Sequence, residues 1–215
     1  MPLHDITFRR GNPLWLPLTA MALGLMGGKL YGVKIILRLD RYNSKGFERG
    51  RAMAIEIIWL ILQWLLMSSW IPGSMHRVFL LRLFGAKIGK TVTIKPGVIV
   101  KFPWRLQIGD FSWIGENVWI DNLANVTIGR HCCLSQGTFL CTGSHDWNSE
   151  TFDLIVKPIT VEDQAWLTAR STVAPGVIVR EGAVLGLGSV ATKELKAWWI
   201  YQGCPALAIK ERSPD

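Results

Sequence analysis

From residue 88 onward an aliphatic side chain returns every six positions. Ile88, Ile94 and Val100 set the beat; Ile108, Ile114 and Ile120 repeat it, then Ile128, Leu134 and Leu140. Two extra residues follow each set of three, giving a 20-residue unit marked by IGKT, IGDF and IGRH at 88, 108 and 128. After an interruption the period resumes as a plain six at Val161, Leu167, Val173, Val179 and Leu185. A helix does not carry this pattern, because six is not a multiple of 3.6 and glycine recurs too often. A coil with three short flat sides per turn does. Each side sends one aliphatic residue inward, and successive turns stack those residues into an apolar column. Glycines near the corners relieve crowding where the chain bends. No turn is stable alone; stacking supplies the core.

The beat stops for about twenty residues in LCTGSHDWNSETFDLIVKP, 140–158, just after a histidine. His145 stands at the end of a rung, before an expelled loop at 146–160, and insertions in solenoids commonly build the binding face. His131, in the turn IGRHCC, reads as an exposed, idle side chain. An isolated histidine is more often structural than catalytic, but one at a loop junction is placed to act as a general base. Its second ring nitrogen then needs an acceptor, for which Asp146, Asp121 or a backbone carbonyl qualifies. In the 20-residue register Asp121 stacks beside Cys141 and Asn125 beside His145. Cys141, four residues from His145, offers a thiol nucleophile instead. Its place next to the inward Leu140 favours a buried, inert thiol.

Residues 1–87 follow a different pattern, helical and membrane-associated. Two uncharged runs, 11–28 and 57–75, each have the length of a transmembrane helix. The first holds two prolines and four glycines, and Arg9 and Arg10 ahead of it allow a signal-peptide reading, although no clear small-x-small cleavage site follows. The second, more apolar, carries Trp59, Trp64 and Trp70 as interface anchors. Of the net charge of +8, residues 1–51 supply +6, from nine Lys/Arg against three acids. Basic charge beside apolar, Trp-containing segments suits an anionic membrane surface better than nucleic acid, for which no motif is present. Two spans would strand the β-rich region outside, opposite the basic link at 29–51, so at most one span is expected. The second helix then lies in the interface or packs on the neighbouring domain. The four cysteines, Cys132, Cys133, Cys141 and Cys204, form neither a disulfide framework nor a zinc pattern, which fits the cytoplasm.

The repeat resembles that of the hexapeptide-repeat acyltransferases. LLRLFGAKIGK (80–90), CTGSHD (141–146), VAPGV (173–177) and GCPALAIKER (203–212) are similar to the exopolysaccharide O-acetyltransferases of the colanic acid biosynthesis type. The likeness runs from about residue 39 to the end and leaves 1–38 unexplained. It implies a mainly β fold, a left-handed parallel β-helix over 88–196, and a coenzyme A-proximal segment at 197–215, beside the N-terminal helical region read above at 1–87. It implies acetyl-CoA as co-substrate, direct transfer with His145 as base, and a homotrimer with sites between subunits; the apolar, basic N-terminal region adds a place at or near the inner face of the cell membrane. Trp166, Ala169 and Leu187 would flank the pantetheine arm, followed by Thr192 and Lys193. Gly203 would shape the turn beyond, and Lys210 and Arg212 would meet nucleotide phosphates. Asp121, Asn122, Asp146 and Trp147 are the acceptor-side candidates, with Trp147 and Phe152 stacking on a sugar face or packing on an adjacent subunit. WIDNLANV (119–126) lacks the earlier asparagine pair of related sugar acetyltransferases, and Thr168 stands where relatives have glycine.

Rival readings have weaker support. A zinc-dependent hydratase on this fold needs about three histidines, and the repeat region holds two at a 14-residue spacing. A non-catalytic, membrane-docked scaffold would not need TGSHD or GCPA. A different acceptor, serine or an amino sugar nucleotide, would use the same base and cofactor. The expected activity is acetyl transfer from acetyl-CoA to a sugar hydroxyl of an exopolysaccharide precursor, lipid-linked or free, with no metal.

Overall fold

A computed structural model of the chain describes residues 35–44 and 46–213. The uncharged run at 11–28, and whatever residues 1–34 contribute, lie outside the described residues. From residue 35 onward the chain forms a single unit.

That unit is a parallel β-helix of two- and three-residue strands on three faces. Face one stacks Lys87–Ile88, Leu106–Ile108, Val126–Ile128, Ile159–Val161 and Ile178–Val179. Face two stacks Thr93–Ile94, Trp113–Ile114, Cys133–Leu134, Trp166–Leu167 and Val184–Leu185, then Trp199–Gln202 and the antiparallel Leu207–Glu211. Face three stacks Ile99–Val100, Trp119–Asp121, Phe139–Cys141, Thr172–Val173 and Val190–Ala191. Registers such as Ile108↔Ile128 and Ile114↔Leu134 show the 20-residue rung, and Val161↔Val179 shows the 18-residue rung after the break. Every beat position is buried. One side chain inward per face removes apolar surface from water at roughly 25 cal/mol per Å², and that burial drives the stack.

The two extra residues of the early rungs sit at the corner between faces three and one. In the first rung that corner is the short helix Pro103–Arg105. In the second it holds Asn122, which is fully buried. Its amide oxygen accepts the Phe102 N–H at 2.9 Å, and its amide nitrogen donates to the Phe102 carbonyl at 2.7 Å. Asn122 is therefore a clamp between rungs and does not face an acceptor, correcting the expectation from sequence. Where rungs meet at the opposite end of face one, Gly109 lies on Gly129 so closely that a Cβ would come 2.7 Å from the Gly129 carbonyl carbon. The glycine of IGDF is required by that approach.

The region before residue 87 contributes two helices, α1 (Met53–Leu62) and α2 (Met75–Leu83), joined by a π-helical turn, Gln63–Met67, and a loop. They share the β-helix core through Trp59, Met67, Leu80 and Leu81. They also close its open end, where each face would leave strand groups unpaired. On face three Gln63 accepts the Val100 N–H at 2.7 Å and the Trp59 indole donates to the Val100 carbonyl at 2.8 Å. On face two the Ser74 hydroxyl meets both the N–H and the carbonyl of Ile94. On face one Arg82 donates to the carbonyls of Ile88 and Gly89. Trp59 is thus a buried cap, not an interface anchor. The run 57–75 holds only the end of α1, the π-helical turn and the loop that leads to α2, and no helix among the described residues is long and apolar enough to cross a membrane.

Candidate functional site

After Cys141 the chain leaves face three. Gly143–His145 and Leu154–Val156 pair antiparallel, with His145 opposite Leu154, so the excursion begins two residues before the histidine. His145 therefore rides on the outgoing strand of a protruding hairpin and not on the last residues of a regular rung. The Asn125 carbonyl, expected near His145, receives the N–H of Ile159, where the chain rejoins face one. Thr142, buried at the exit point, fixes the departure: its hydroxyl donates to the Asp121 carbonyl at 2.9 Å and accepts the Ala124 N–H at 3.0 Å.

The hairpin and the segment around Tyr42 together hold the imidazole. Nδ1 lies 2.8 Å from the Phe152 carbonyl oxygen. A carbonyl only accepts, so Nδ1 carries the hydrogen and Nε2 of the neutral ring is left as the free base. The Phe152 ring stacks on the imidazole at 4.0 Å and 4°, with its backbone in the left-handed region at φ +54°. Tyr42 packs edge-on against the imidazole, with ring centroids 5.5 Å apart. The side chain expected to stack on sugar thus stacks on the histidine. The segment around Tyr42 is tied to the hairpin tip by Arg38 N–H to the Glu150 carbonyl at 2.8 Å and by the Arg41–Glu150 ion pair at 2.9 Å.

Two clefts flank the hairpin. One, of about 260 Å³, is lined by His145, Asp146, Trp147, Lys157 and Pro175 among others. The other, of about 390 Å³, lies between Asn43, Ser44, Gly46 and Phe47 on one side and Asp153, Leu154 and Val156 on the other. Asp146 is committed to the turn, where its carboxylate accepts the Asn148 N–H at 2.8 Å. Trp147 is 78% exposed at the cleft mouth. Asp121 is paired to Lys101 at 3.0 Å and aligned with Cys141 across the rungs, as the 20-residue register requires. The Cys141 thiol donates to the Gly143 carbonyl at 3.0 Å, and burial pushes its pKa up, disfavouring the thiolate.

The residues expected along a cofactor groove border the later rungs of face three. Ala169 and Leu187 occupy successive corners between faces two and three, where the Gly188 N–H meets the Ala169 carbonyl. Gly203 follows, its carbonyl receiving the Val190 N–H. Thr192 and Lys193, both exposed, leave the other border, one rung beyond the Pro175 corner, since Val173 pairs with Ala191. Trp166 is half-exposed on face two with its indole donating to Ser135. Lys210 is exposed on the closing strand. Arg212 is not free to present its fork: Nη1 donates to the carbonyls of Gln164 and Gly182, and the guanidinium lies over the Trp198 ring. Its first role is to pin the C-terminal strand to the β-helix. Sequence gave no signal for Tyr42 or Lys157; of the three acceptors expected for the imidazole, the structure has the backbone carbonyl, that of Phe152. Among the described residues no three His, Cys, Asp or Glu side chains are grouped to hold a metal.

No protein-family model matches the chain. It is 42% identical over 170 residues, 78% of its own length and 92% of the relative's, to the Escherichia coli K12 protein that carries the name colanic acid biosynthesis acetyltransferase WcaF. It is 25% identical over 138 residues to galactoside O-acetyltransferase of the same organism, 63% of this chain and 68% of that one. Among solved structures it matches a hexapeptide-repeat acetyltransferase of Vibrio cholerae, crystallised with acetyl coenzyme A, at TM-score 0.69 and 24% identity over 75% of this chain and 88% of that one. The chain belongs to the hexapeptide-repeat acetyltransferases, among those of the colanic acid biosynthesis type.

Proposed function

We propose that the chain transfers the acetyl group of acetyl-CoA to a sugar hydroxyl of an exopolysaccharide precursor, with His145 as general base. The observation that carries this is the Nδ1–H bond to the Phe152 carbonyl, which leaves Nε2 unprotonated beside an open cleft. The hydroxyl oxygen attacks the thioester carbonyl carbon while Nε2 takes the hydroxyl proton. The tetrahedral intermediate then expels the thiolate, which receives that proton from the imidazolium. Positioned base catalysis of this kind contributes roughly 10²–10⁴-fold. No acyl-enzyme is needed, and the raised pKa of Cys141 argues against one.

The pantetheine arm runs past Pro175 toward Thr192 and Lys193, with Trp166, Ala169, Leu187 and Gly203 on the far border and Lys210 toward the phosphates. Trp147 and Asp121 serve the acceptor side. The working unit is a homotrimer, supported by outward ladders that are apolar on two faces: Trp113 with Trp166 on face two, and Ile99, Trp119 and Phe139 on face three. The acceptor is carried on lipid at the cytoplasmic membrane face, a reading that rests on the apolar, basic character of the region before residue 87.

The test is His145→Ala. Acetyl-CoA consumption against a panel of sugars, nucleotide sugars and lipid-linked saccharides should fall by about 10²–10⁴-fold with coenzyme A binding unchanged. Turnover at the level of the unmodified protein would overturn the assignment, and the panel itself identifies the acceptor.

A further inference from the structure

Helix α1 is inverted with respect to water. With the π-helical turn that continues it, its inward face carries the polar groups Glu56, Gln63 and the Trp59 indole, which cap strands or pair with Arg49. The outward face is aliphatic and aromatic: Ile57 and Ile61 of α1 and Trp64 and Leu65 of the turn are all exposed. A helix on an aqueous surface shows the opposite arrangement. Trp70 in the loop and Phe79 on α2 are exposed as well, so that Trp64, Trp70 and Phe79 show 75%, 81% and 67% of their surface. So extensive an apolar surface marks an interaction site.

Two further observations identify the occupant. First, the loop joining the helices needs little from water. The buried Arg77 guanidinium donates to the carbonyls of Met67, Ser69, Ile71 and Gly73. A segment that enters lipid must satisfy its backbone in this internal way. Second, residues 57–109 contain seven Lys/Arg and no Asp or Glu, and Arg82, Lys87 and Lys90 are exposed beside α2. Positive charge flanking an apolar face with exposed tryptophans is complementary to an anionic bilayer.

We infer that the α1–α2 hairpin is a monotopic membrane-docking surface that seats Trp64, Trp70 and Phe79 in the headgroup region of an anionic leaflet. The inference rests on the membrane-face part of the function proposed above and is independent of its chemistry. The β-helix is then held at the bilayer by its open end.

The test is flotation of the full chain with vesicles of phosphatidylcholine mixed with phosphatidylglycerol, against phosphatidylcholine alone. The unmodified chain should float with the mixed vesicles and less with the neutral ones. The triple variant Trp64→Ser, Trp70→Ser, Phe79→Ser should lose roughly tenfold or more in partitioning, from the apolar area it withdraws. Its circular dichroism and acetyl-CoA binding should be unchanged. If it fails to fold, the loop pair Trp70→Ser, Ile71→Ser must still reduce flotation. The inference is overturned if the unmodified chain ignores both vesicles or if a folded variant floats as well as the unmodified chain, which would move the anchor to residues 1–34 or elsewhere. It is equally overturned if the triple variant breaks up a lipid-free oligomer, which would make the occupant a second copy. Docking lost with turnover retained leaves the proposed chemistry standing; turnover lost with docking retained leaves the surface standing.

Discussion

His145 donates its Nδ1 hydrogen to the carbonyl of Phe152, and the ring of the same phenylalanine lies flat against the imidazole. One residue therefore sets both the tautomer and the tilt of the proposed base, the first through its backbone and the second through its side chain. The two can be separated. Because Phe152 sits at φ +54°, glycine adopts its conformation readily and keeps the carbonyl in place. Phe152→Gly should remove only the stack, worth about 0.5–1.5 kcal/mol, and so lower kcat by roughly 2–10-fold. Steady-state kinetics should show KM for acetyl-CoA unmoved, and Phe152→Tyr should restore kcat. A change confined to KM would mean the ring contacts substrate and not the histidine.

Cys141 lies close enough in sequence to His145 to suggest a thiol relay. Its sulfur instead donates to the Gly143 carbonyl, and burial raises its pKa. Cys141→Ser should leave turnover at the unmodified level, and rapid-mix assays should show no burst of acetyl-enzyme. Loss of turnover with the fold intact would reinstate the covalent route.

Asn122 tests a different distinction, between a binding residue and a strut. Both ends of its buried amide hold the backbone of Phe102. Asn122→Ala orphans a buried N–H and a buried carbonyl, each costing about 1–3 kcal/mol. Thermal denaturation should show a lower Tm, while KM for the acceptor stays where it was. A raised KM at unchanged Tm would return Asn122 to the acceptor site.

The β-helix was legible because its signal is local and obligatory: each short side must bury one aliphatic residue, so the beat from Ile88 to Leu185 is the core itself. His145 was legible as the residue beside the break. Its partner was not, because a backbone carbonyl has no side-chain signature and Tyr42 reaches the ring from about a hundred residues away in sequence. Asn122 misled because a buried amide that clamps a backbone reads, in sequence, like one that faces a ligand. Trp59 misled for the same kind of reason. Hydropathy treats it as one of a run of apolar anchors, whereas its indole N–H closes an open strand edge. Arg212 matched a phosphate-binding pattern by position, and only the folded C-terminal strand shows its guanidinium spent on two carbonyls.

His76, beside the Arg77 hub of the helical hairpin, gives the fold a dependence on acid. Its Nε2 is buried with no hydrogen-bond partner among the described residues. Burial, reinforced by the positive charge of Arg77, holds its pKa below the ordinary value of 6.5. The unfolded chain then binds this proton more readily than the folded one, so stability increases with pH across the interval between the two values. Well above pH 6.5 the ring is neutral in both states and stability does not vary with its titration; as pH falls through 6.5 toward the lowered folded value, stability is progressively lost. Tm measured from neutral pH downward should therefore decline more steeply for the unmodified chain than for His76→Gln, which cannot take up the proton. Parallel declines for the two proteins would show that the acid sensitivity arises elsewhere and that this imidazole is solvated.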